Sequence, residues 1–329
     1  MSYNLDYWLK YYGSTWTTDC LYVFALTPIS IISFVMNILA FIVLSKNSLG
    51  SAIIFRYLRL YVLNSSMLSL ILATTFLFSS YRIFSFTNSY FSLFYGSYFH
   101  SPFLSIFYCF GGLLEICISI ERTLNFMPNR AIKKLINNNK AWLVLLILSI
   151  VINIPVFFVN YPGVDDVLLD TGLMYRFYYW AVTEFAMSSI GKGITYTVYI
   201  IRDIFTLTAK ISLNILSVQL IRKYFNKISS DLHVVTITKS NTIATFPEKT
   251  YITEVDKNLT YLSIIMCVLS SLENVFFIAS YIYVAINFDE IAYLLFFISY
   301  FTLALKHFTN LIVLYSFNNL FKEEFRKTF

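Results

Sequence analysis

Seven long apolar stretches constrain the fold of this chain more than any other feature of its sequence. Each has about the 20 residues that a helix needs to cross the hydrocarbon core of a bilayer, and none has the short alternating pattern of a membrane-spanning strand. They lie near residues 22–45, 58–80, 101–121, 141–159, 198–221, 259–286 and 290–315. The sequence therefore predicts an all-α membrane protein, a seven-transmembrane helix bundle. The fifth stretch is the least regular, because Lys210, Asn214 and Gln219 interrupt it.

The basic residues predict how this bundle is oriented. Charged residues make up 13% of the chain, about half the share in a soluble domain. Most Lys and Arg residues lie in one set of connections, which comprises 46–57, 122–140, 222–258 and 316–329. Because cytoplasmic loops carry the excess of basic residues, we expect a multi-pass membrane protein with its amino terminus, residues 1–21, outside. Residues 22–315 would then form the bundle and 316–329 a cytoplasmic segment. The net charge of +6 follows from this topology, and no nucleic-acid partner is expected.

Two of the predicted outer connections are long. Residues 81–100 are rich in aromatic side chains, and residues 160–197 are acidic. We interpret both as loops. Of the four cysteines, Cys20 alone lies outside the predicted spans, so the sequence predicts no extracellular disulfide framework.

The last residues of the chain have the pattern of an amphipathic helix. Lys322, Arg326 and Lys327 lie beside apolar residues that follow helical spacing, namely Phe317, Leu320, Phe321, Phe325 and Phe329. Aromatic residues on one face and cations on the other are typical of helices that lie on a membrane surface. We therefore predict a short cytoplasmic helix with membrane lipid as its partner.

An acid–arginine pair ends the third apolar stretch, in the run Glu121-Arg122-Thr123. An arginine at this depth is costly unless it is paired, and the preceding carboxylate supplies the pair. Asn37 and Asn64 lie inside the first and second stretches. Buried amides of this kind hydrogen-bond neighbouring helices.

These motifs resemble those of rhodopsin-like (class A) G-protein-coupled receptors, in particular divergent invertebrate chemoreceptor-like and peptide-receptor-like members. Glu121-Arg122-Thr123 is similar to the family's Asp/Glu-Arg-Tyr, Asn37 to its first-helix asparagine, and Asn64 to the start of its second-helix motif. Asn310 keeps the asparagine of Asn-Pro-x-x-Tyr. The resemblance implies a plasma-membrane location, a heterotrimeric G protein as partner, a coupling switch at Arg122 and Asn310, and an extracellular ligand, either a small molecule or a peptide.

The chain also departs from that family at several positions. Thr123 replaces the tyrosine, Ser69 stands where the family has an aspartate, and Ser97 stands where it has an outer cysteine. The sixth stretch lacks the Trp-x-Pro motif. These losses leave two other interpretations open, a small-solute transporter or channel and a receptor-like scaffold that does not signal.

Charged residues inside the apolar stretches form a predicted intramembrane polar network. It comprises Asn37, Asn64, Ser69, Glu115, Glu273, Lys306 and His307. An unpaired lysine within a span costs about 3 kcal/mol on insertion scales. We hypothesise that Lys306 pairs with Glu273, or failing that with Glu115, and that this bond helps to hold the resting state. The alternative is that these groups only satisfy one another or line a wet cavity.

Three further charges are candidates for ligand binding. Arg202 and Asp203 lie near the outer end of the fifth stretch, where they form either a ligand contact or a structural pair. Lys210 either reaches toward the membrane surface or faces a ligand. The three histidines have no metal-ligand spacing, and no catalytic motif is present, so we expect neither an enzyme nor a metal or cofactor.

Overall fold

Long helices dominate the structure, a computed structural model that describes residues 15–46, 49, 53–126, 138, 140–168, 174–238, 247–286 and 290–329. We number its eight principal helices in chain order. They are α1 (Trp16–Leu44), α2 (Ile53–Ala73), α3 (90–126), α4 (Ala141–Asn153), α5 (189–238), α6 (Pro247–Ile286), α7 (Glu290–Phe317) and α8 (Asn319–Thr328). Shorter turns are Phe76–Ser79, Ser85–Thr87, Ile154–Phe158 and Glu184–Met187.

Six helical segments of the described residues are long and apolar enough to cross a membrane. They are Trp16–Leu44, Ile53–Ser79, Tyr90–Leu124, Ala141–Phe158, Ile264–Tyr283 and Ile291–Phe317. This confirms the prediction of a helical, multi-pass membrane protein. The segments fall in the first, second, third, fourth, sixth and seventh predicted stretches, and α5, which carries the interrupted fifth stretch, is not among them.

Three of the helices contain a π-helical turn near one end. These turns are Tyr22–Leu26 in α1, Gly96–His100 in α3 and Ile200–Phe205 in α5. A π-helical turn bonds the backbone from residue i to i+5 instead of i+4. In α1 the Thr27 hydroxyl donates to the Tyr22 carbonyl at 2.9 Å, and in α5 the Thr206 hydroxyl donates to Ile201 at 3.2 Å. In both helices a threonine side chain after the turn thus bonds a carbonyl within it, and in α1 the same carbonyl also accepts the Thr27 amide.

Helix α3 lies at the centre of the bundle and packs against α2, α4, α5 and α6. Helix α7 packs against α1 and α6, and α1 also packs against α2. Two glycines in α3 allow α2 and α5 to pack closely against it. A side chain at Gly111 would place its Cβ 2.8 Å from the Asn64 amide nitrogen of α2, and one at Gly112 would meet Thr206 of α5 at 2.7 Å.

The segment 160–197 is not a loop, as we predicted, but mostly regular structure. Strands β1 (Asn160–Leu168) and β2 (Met174–Val182) form an antiparallel hairpin in which Gly163 lies opposite Tyr179. β2 is rich in aromatic residues, which favour strands, whereas the acidic composition of the segment as a whole suggested a loop. The prediction was wrong because it rested on the acidic residues of the whole segment and not on the strand-forming residues of β2.

Several helices begin earlier than the apolar stretches indicated, and two of these starts lie within segments that we interpreted as loops. Helix α3 begins at Tyr90 and α5 at Ser189, instead of 101 and 198. Each start is capped by a serine: Ser89 Oγ accepts from the Ser92 amide at 3.2 Å, and Ser188 Oγ accepts from the Gly191 amide at 3.0 Å. Such caps satisfy the free amides of a first turn, so these helices extend into segments that hydropathy does not mark.

Aromatic packing and an asparagine side chain fix the hairpin to the bundle. The described cysteines are free thiols, so none of them forms a disulfide that would add to these contacts. The Phe78 ring lies 5.3 Å from that of Trp180 in β2 and 4.6 Å from that of His100 in α3. The Asn88 side chain accepts from the Tyr178 amide at 3.0 Å and donates to the Arg176 carbonyl at 3.4 Å. Asn88 therefore bonds the backbone of β2 much as a neighbouring strand would.

The predicted amphipathic helix at the carboxyl end forms as α8, from Asn319 to Thr328 instead of over 316–329. It starts later because Asn318 interrupts the helix and caps α8, accepting from the Phe321 amide at 3.0 Å. Phe321 is fully buried, and the Phe325 ring packs on Tyr315 of α7 at 5.5 Å. Lys327 points to the exposed side.

Candidate functional site

Four charged side chains meet in the middle of the bundle, and we call them the central ion cluster. Glu115 comes from α3, Lys210 from α5, Glu273 from α6 and Lys306 from α7. None of the four side chains is more than 8% exposed. Four helices that are far apart in the sequence therefore bring opposite charges to one buried point.

The charges alternate along the cluster. Lys210 Nζ lies 2.9 Å from Glu115 Oε2, Lys306 Nζ lies 2.7 Å from Glu115 Oε1, and Lys306 Nζ lies 2.9 Å from Glu273 Oε2. The hypothesised pair between Lys306 and Glu273 is thus present, and so is the second candidate pair, with Glu115. Lys306 bridges the two carboxylates instead of choosing between them.

Lys210 occupies a different place from the two that we considered for it. Its ammonium neither reaches the membrane surface nor lines an open site, because the residue is 3% exposed and paired with Glu115. An unpaired ammonium inside the membrane is costly. The carboxylate of α3 removes that cost and draws the lysine inward, which the sequence of α5 alone does not indicate.

Ser270 of α6 connects three members of the cluster. Its hydroxyl donates to Glu115 Oε2 at 2.8 Å and accepts from Lys306 Nζ at 3.1 Å and from Lys210 Nζ. Ser270 was not among the residues predicted from the sequence. A signal was available, because Ser270 precedes Glu273 by three residues and so lies on the same face of α6.

The cluster carries no net charge when its two carboxylates and two ammonium groups are ionised. A single buried ion is expensive to desolvate, whereas a set of alternating ions with good geometry recovers much of that free energy. Neutrality depends on all four residues. A movement of α6 away from α3 therefore affects both the Ser270–Glu115 hydrogen bond and the Lys306–Glu273 ion pair.

The predicted polar network between α1, α2 and α7 is also largely in place. Asn37 Nδ2 donates to the His307 carbonyl at 2.9 Å, and Asn310 Nδ2 donates to Asn37 Oδ1 at 2.9 Å. Asn64 Nδ2 donates to the Phe107 carbonyl of α3 at 2.9 Å. Ser69, which stands where the resembled family has its aspartate, forms a hydroxyl pair 2.8 Å long with Ser33 of α1.

His307 takes part in this network through its backbone. Its ring is buried 6.5 Å from the ring of Tyr61, and neither ring nitrogen has a hydrogen-bond partner within the described part of the chain. The backbone carbonyl could accept this hydrogen bond from Asn37 with almost any side chain at position 307. The histidine side chain therefore does not have the hydrogen-bonding role that we predicted for it.

A second buried charge site surrounds Arg202 in the π-helical turn of α5, and we call it the outer cluster because it lies toward the predicted outer end of that helix. Two guanidinium nitrogens bond the two Asp203 carboxylate oxygens at 3.0 and 2.9 Å, and Nη1 donates to Ser105 Oγ at 3.1 Å. The guanidinium carbon also lies 5.1–5.6 Å from three tyrosine rings, those of Tyr108, Tyr199 and Tyr281. These contacts have the geometry of ion and cation–π pairs.

The contacts of the outer cluster favour the structural interpretation of Arg202 and Asp203. Both residues are buried, at 4% and 1% exposure. Arg202 Nη2 also donates to the Tyr281 hydroxyl of α6 at 2.6 Å. The pair therefore joins α5 to α3 and α6 and leaves little of the guanidinium available for a ligand. The three tyrosines gave no sequence signal, because tyrosine is abundant throughout the chain.

The Glu121-Arg122-Thr123 run lies on the last turns of α3, as predicted. Arg122 is buried, and its Nε lies 3.9 Å from Glu121 Oε2. Thr123 donates to the Ser119 carbonyl at 2.9 Å and lies 2.8 Å from Ser217 Oγ of α5. Thr123 thus ties α3 to α5 at the position where the resembled family has tyrosine.

Comparisons with known proteins assign this arrangement to no family. No protein-family model matches the chain, and no curated protein sequence matches it. Within the described residues, no three His, Cys, Asp or Glu side chains lie close enough together to hold a metal ion.

Proposed function

We propose that this chain is a G-protein-coupled receptor of the plasma membrane, with seven spans and its amino terminus outside. One observation carries the proposal: a neutral, buried ion cluster joins α3, α5, α6 and α7. In the proposed receptor, an outward movement of α6 opens a surface for a heterotrimeric G protein. The contacts that such a movement has to rearrange are the Lys306–Glu273 ion pair and the hydrogen bonds of Ser270.

The proposed mechanism follows from a two-state bundle. A ligand shifts the population only if it binds one packing of the helices more tightly than the other. In the resting packing, Ser270 and Glu273 of α6 bond Glu115 of α3 and Lys306 of α7. Separation of α6 from α3 breaks the bond between Ser270 and Glu115. Arg122 then becomes available at the basic end of α3 to contact the G protein, the role that the resemblance implies for it.

The ligand of the proposed receptor binds on the outer side, between α3, α5, α6 and α7 and beneath the hairpin of β1 and β2. The outer cluster supports this assignment, because Arg202 links α5 to Ser105 of α3 and Tyr281 of α6. A ligand that disturbs these contacts changes how the three helices pack. The acidic outer connections favour a cationic small molecule or a basic peptide.

A small-solute transporter is the second candidate, and the central ion cluster also favours it. Ionisable residues within a membrane mark substrate or ion pathways as well as switches. Transport would require a solute to replace one member of a cluster whose four charges are already balanced. The receptor accounts for this balance more simply, since a switch has to rest in a stable state.

The deciding experiment measures G-protein activation in cells that express the chain or its Arg122→Ala variant at equal surface levels. We expect basal or ligand-stimulated activation by the parent chain and its loss in the variant. Arg176→Ala is the matched control, because it removes an exposed arginine from the hairpin, far from the basic end. If activation equals that of untransfected cells for every ligand of a broad amine and peptide panel, the remaining candidate functions are a transporter and a non-signalling scaffold.

A further inference from the structure

A groove between α5 and α6 opens on the outside of the bundle and has a volume of about 540 Å³. Its walls are almost wholly apolar, and several lining side chains are exposed, namely Ile215, Val268, Leu272 and Val275. In a membrane protein this face meets lipid. The length of the groove and the charge at one end determine which lipid fits it.

The groove has the length of one leaflet. Its lining runs from Ile211 to Arg222 on α5 and from Ile264 to Val275 on α6, a difference of 11 residues on each helix. At 1.5 Å per residue each wall is about 16 Å long. One leaflet supplies about 15 Å, half of the hydrocarbon thickness of a bilayer. A single acyl chain that runs along the groove therefore reaches from the headgroup region to the middle of the membrane.

Arg222 gives one end of this apolar groove a positive charge. Its side chain is exposed and lines the groove. It follows Ser217, which contacts Thr123 near the end of α3, by five residues, or about 7.5 Å along the helix. Arg222 therefore lies where the helices leave the membrane at the basic end of the bundle. A cation at that depth attracts an anionic headgroup with about 1 kcal/mol.

We propose that this groove binds an anionic phospholipid from the leaflet at the basic end of the bundle. One acyl chain lies between α5 and α6, and Arg222 contacts the negatively charged headgroup. The site is separate from the central ion cluster, which lies on the inner side of the same two helices. The proposal needs only the membrane insertion of the bundle and stands whether or not the chain signals.

The test uses the full chain in phosphatidylcholine vesicles with two photoreactive lipids that carry the same diazirine-labelled acyl chain. One probe has a phosphatidylserine headgroup and the other a phosphatidylcholine headgroup. Cross-linked peptides are mapped by mass spectrometry. We expect the phosphatidylserine probe to label the groove residues of α5 and α6 preferentially, and unlabelled phosphatidylserine to compete more strongly than unlabelled phosphatidylcholine.

Two substitutions give this test a matched control. Arg222→Gln should reduce labelling by the phosphatidylserine probe about fivefold, the equivalent of about 1 kcal/mol, without changing labelling by the neutral probe. Lys223→Gln removes the neighbouring exposed cation, which does not line the groove, and should leave labelling unchanged. Leu272→Trp should fill the groove and reduce labelling by both probes.

Two outcomes would overturn the proposal. Equal labelling by the two probes in the parent chain would mean that the groove holds ordinary boundary lipid. Cross-links between α5 and α6 of two chains, with no lipid adduct in the groove, would mean that a second copy of the chain covers this face. If Arg222→Gln fails to insert, the competition experiment on the parent chain still decides between anionic and neutral lipid.

Discussion

Glu115 and Glu273 are both buried carboxylates, but they have different partners. Glu115 makes ion pairs with Lys210 and Lys306, whereas Glu273 makes its ion pair with Lys306. Removing one partner from a buried ion pair costs about 3–5 kcal/mol in soluble proteins, because the other charge stays buried. The loss of Glu115 should therefore be the more damaging, since it affects two lysines.

Glu115→Gln should lower the melting temperature of the detergent-solubilised chain more than Glu273→Gln does. In the first variant Lys210 and Lys306 are left with the single carboxylate of Glu273, which Lys210 does not contact. Lys327→Gln serves as the control, because it removes an exposed cation. Equal effects of the two glutamine substitutions would mean that the cluster does not have the alternating arrangement described here.

The pair of Lys306 and Glu273 offers a double-variant test. Lys306→Met alone leaves two carboxylates with one lysine, whereas Lys306→Met combined with Glu273→Gln leaves the neutral pair of Lys210 and Glu115. We expect the double variant to melt at a higher temperature than Lys306→Met. In a signalling assay, both changes should raise basal activity if the pair holds the resting state. Strictly additive losses of stability, with unchanged basal signalling, would refute this role.

Among the elements, α3 depends on two consecutive glycines for its central position. Gly111 faces Asn64 of α2, and Gly112 faces Thr206 of α5, so α3 approaches both neighbours where it has no side chain. Close approach at small residues is a common way for membrane helices to pack. The asparagine also needs this space, because its amide bonds the Phe107 carbonyl one turn away.

Gly111→Val should therefore destabilise the bundle, by about 1–3 kcal/mol as in other overpacked cores. The new Cβ would lie 2.8 Å from Asn64 Nδ2, so α2 has to move or the asparagine has to give up its bond to α3. Gly193→Ala is the control, since nothing lies within 4 Å of the added Cβ. Thermal melting of the two variants tests this prediction. A lower melting temperature in both would point to a general intolerance of substitutions in the helices.

The hairpin should loosen when its contact with Asn88 is lost. Asn88→Ala removes the side chain that bonds the backbone of Tyr178 and Arg176, so the amides of β2 should exchange hydrogen for deuterium faster. Asp166→Asn is the control, because its ion pair with Arg176 is exposed, and such pairs contribute little. Unchanged exchange in Asn88→Ala would show that other contacts, such as the aromatic pairs Phe78–Trp180 and Tyr81–Phe177, are enough to hold the hairpin.

The sequence predicts the elements of this fold better than their ends or their contacts. Apolar length indicates which segments are helices because hydropathy adds up along a chain. It misses the starts at Tyr90 and Ser189, which depend on the serine caps before them. It also indicates that Lys306 needs a partner, but not that Lys210 shares Glu115, because charge pairing depends on how each helix is rotated about its own axis.

At the scale of the whole molecule, α5 decides the topology. It is not among the six segments with a clear membrane-spanning composition, but it contributes Lys210 to the central ion cluster. If α5 crosses the membrane, three crossings separate the hairpin from α8, and the two lie on opposite sides. If it does not, they lie on the same side.

Cysteine labelling in intact cells distinguishes these topologies. In a background without the four native cysteines, Arg176→Cys in the hairpin and Lys327→Cys in α8 each supply one exposed thiol. We expect a membrane-impermeant maleimide to label the first in intact cells and the second only after permeabilisation. Labelling of both in intact cells would exclude the seven-span arrangement.

The π-helical turn Ile200–Phe205 constrains how many residues this part of α5 can contain. Each residue advances a helix by about 100°, so the extra residue of the turn sets the angle at which everything after it faces the bundle. Deleting one residue there would restore an ordinary helix but rotate Lys210 and Asn214 away from Glu115 and Ser119, the partners they now have. Many substitutions in this segment would leave that angle unchanged. The number of residues between Asp203 and Lys210 is therefore more tightly constrained than the identity of those residues.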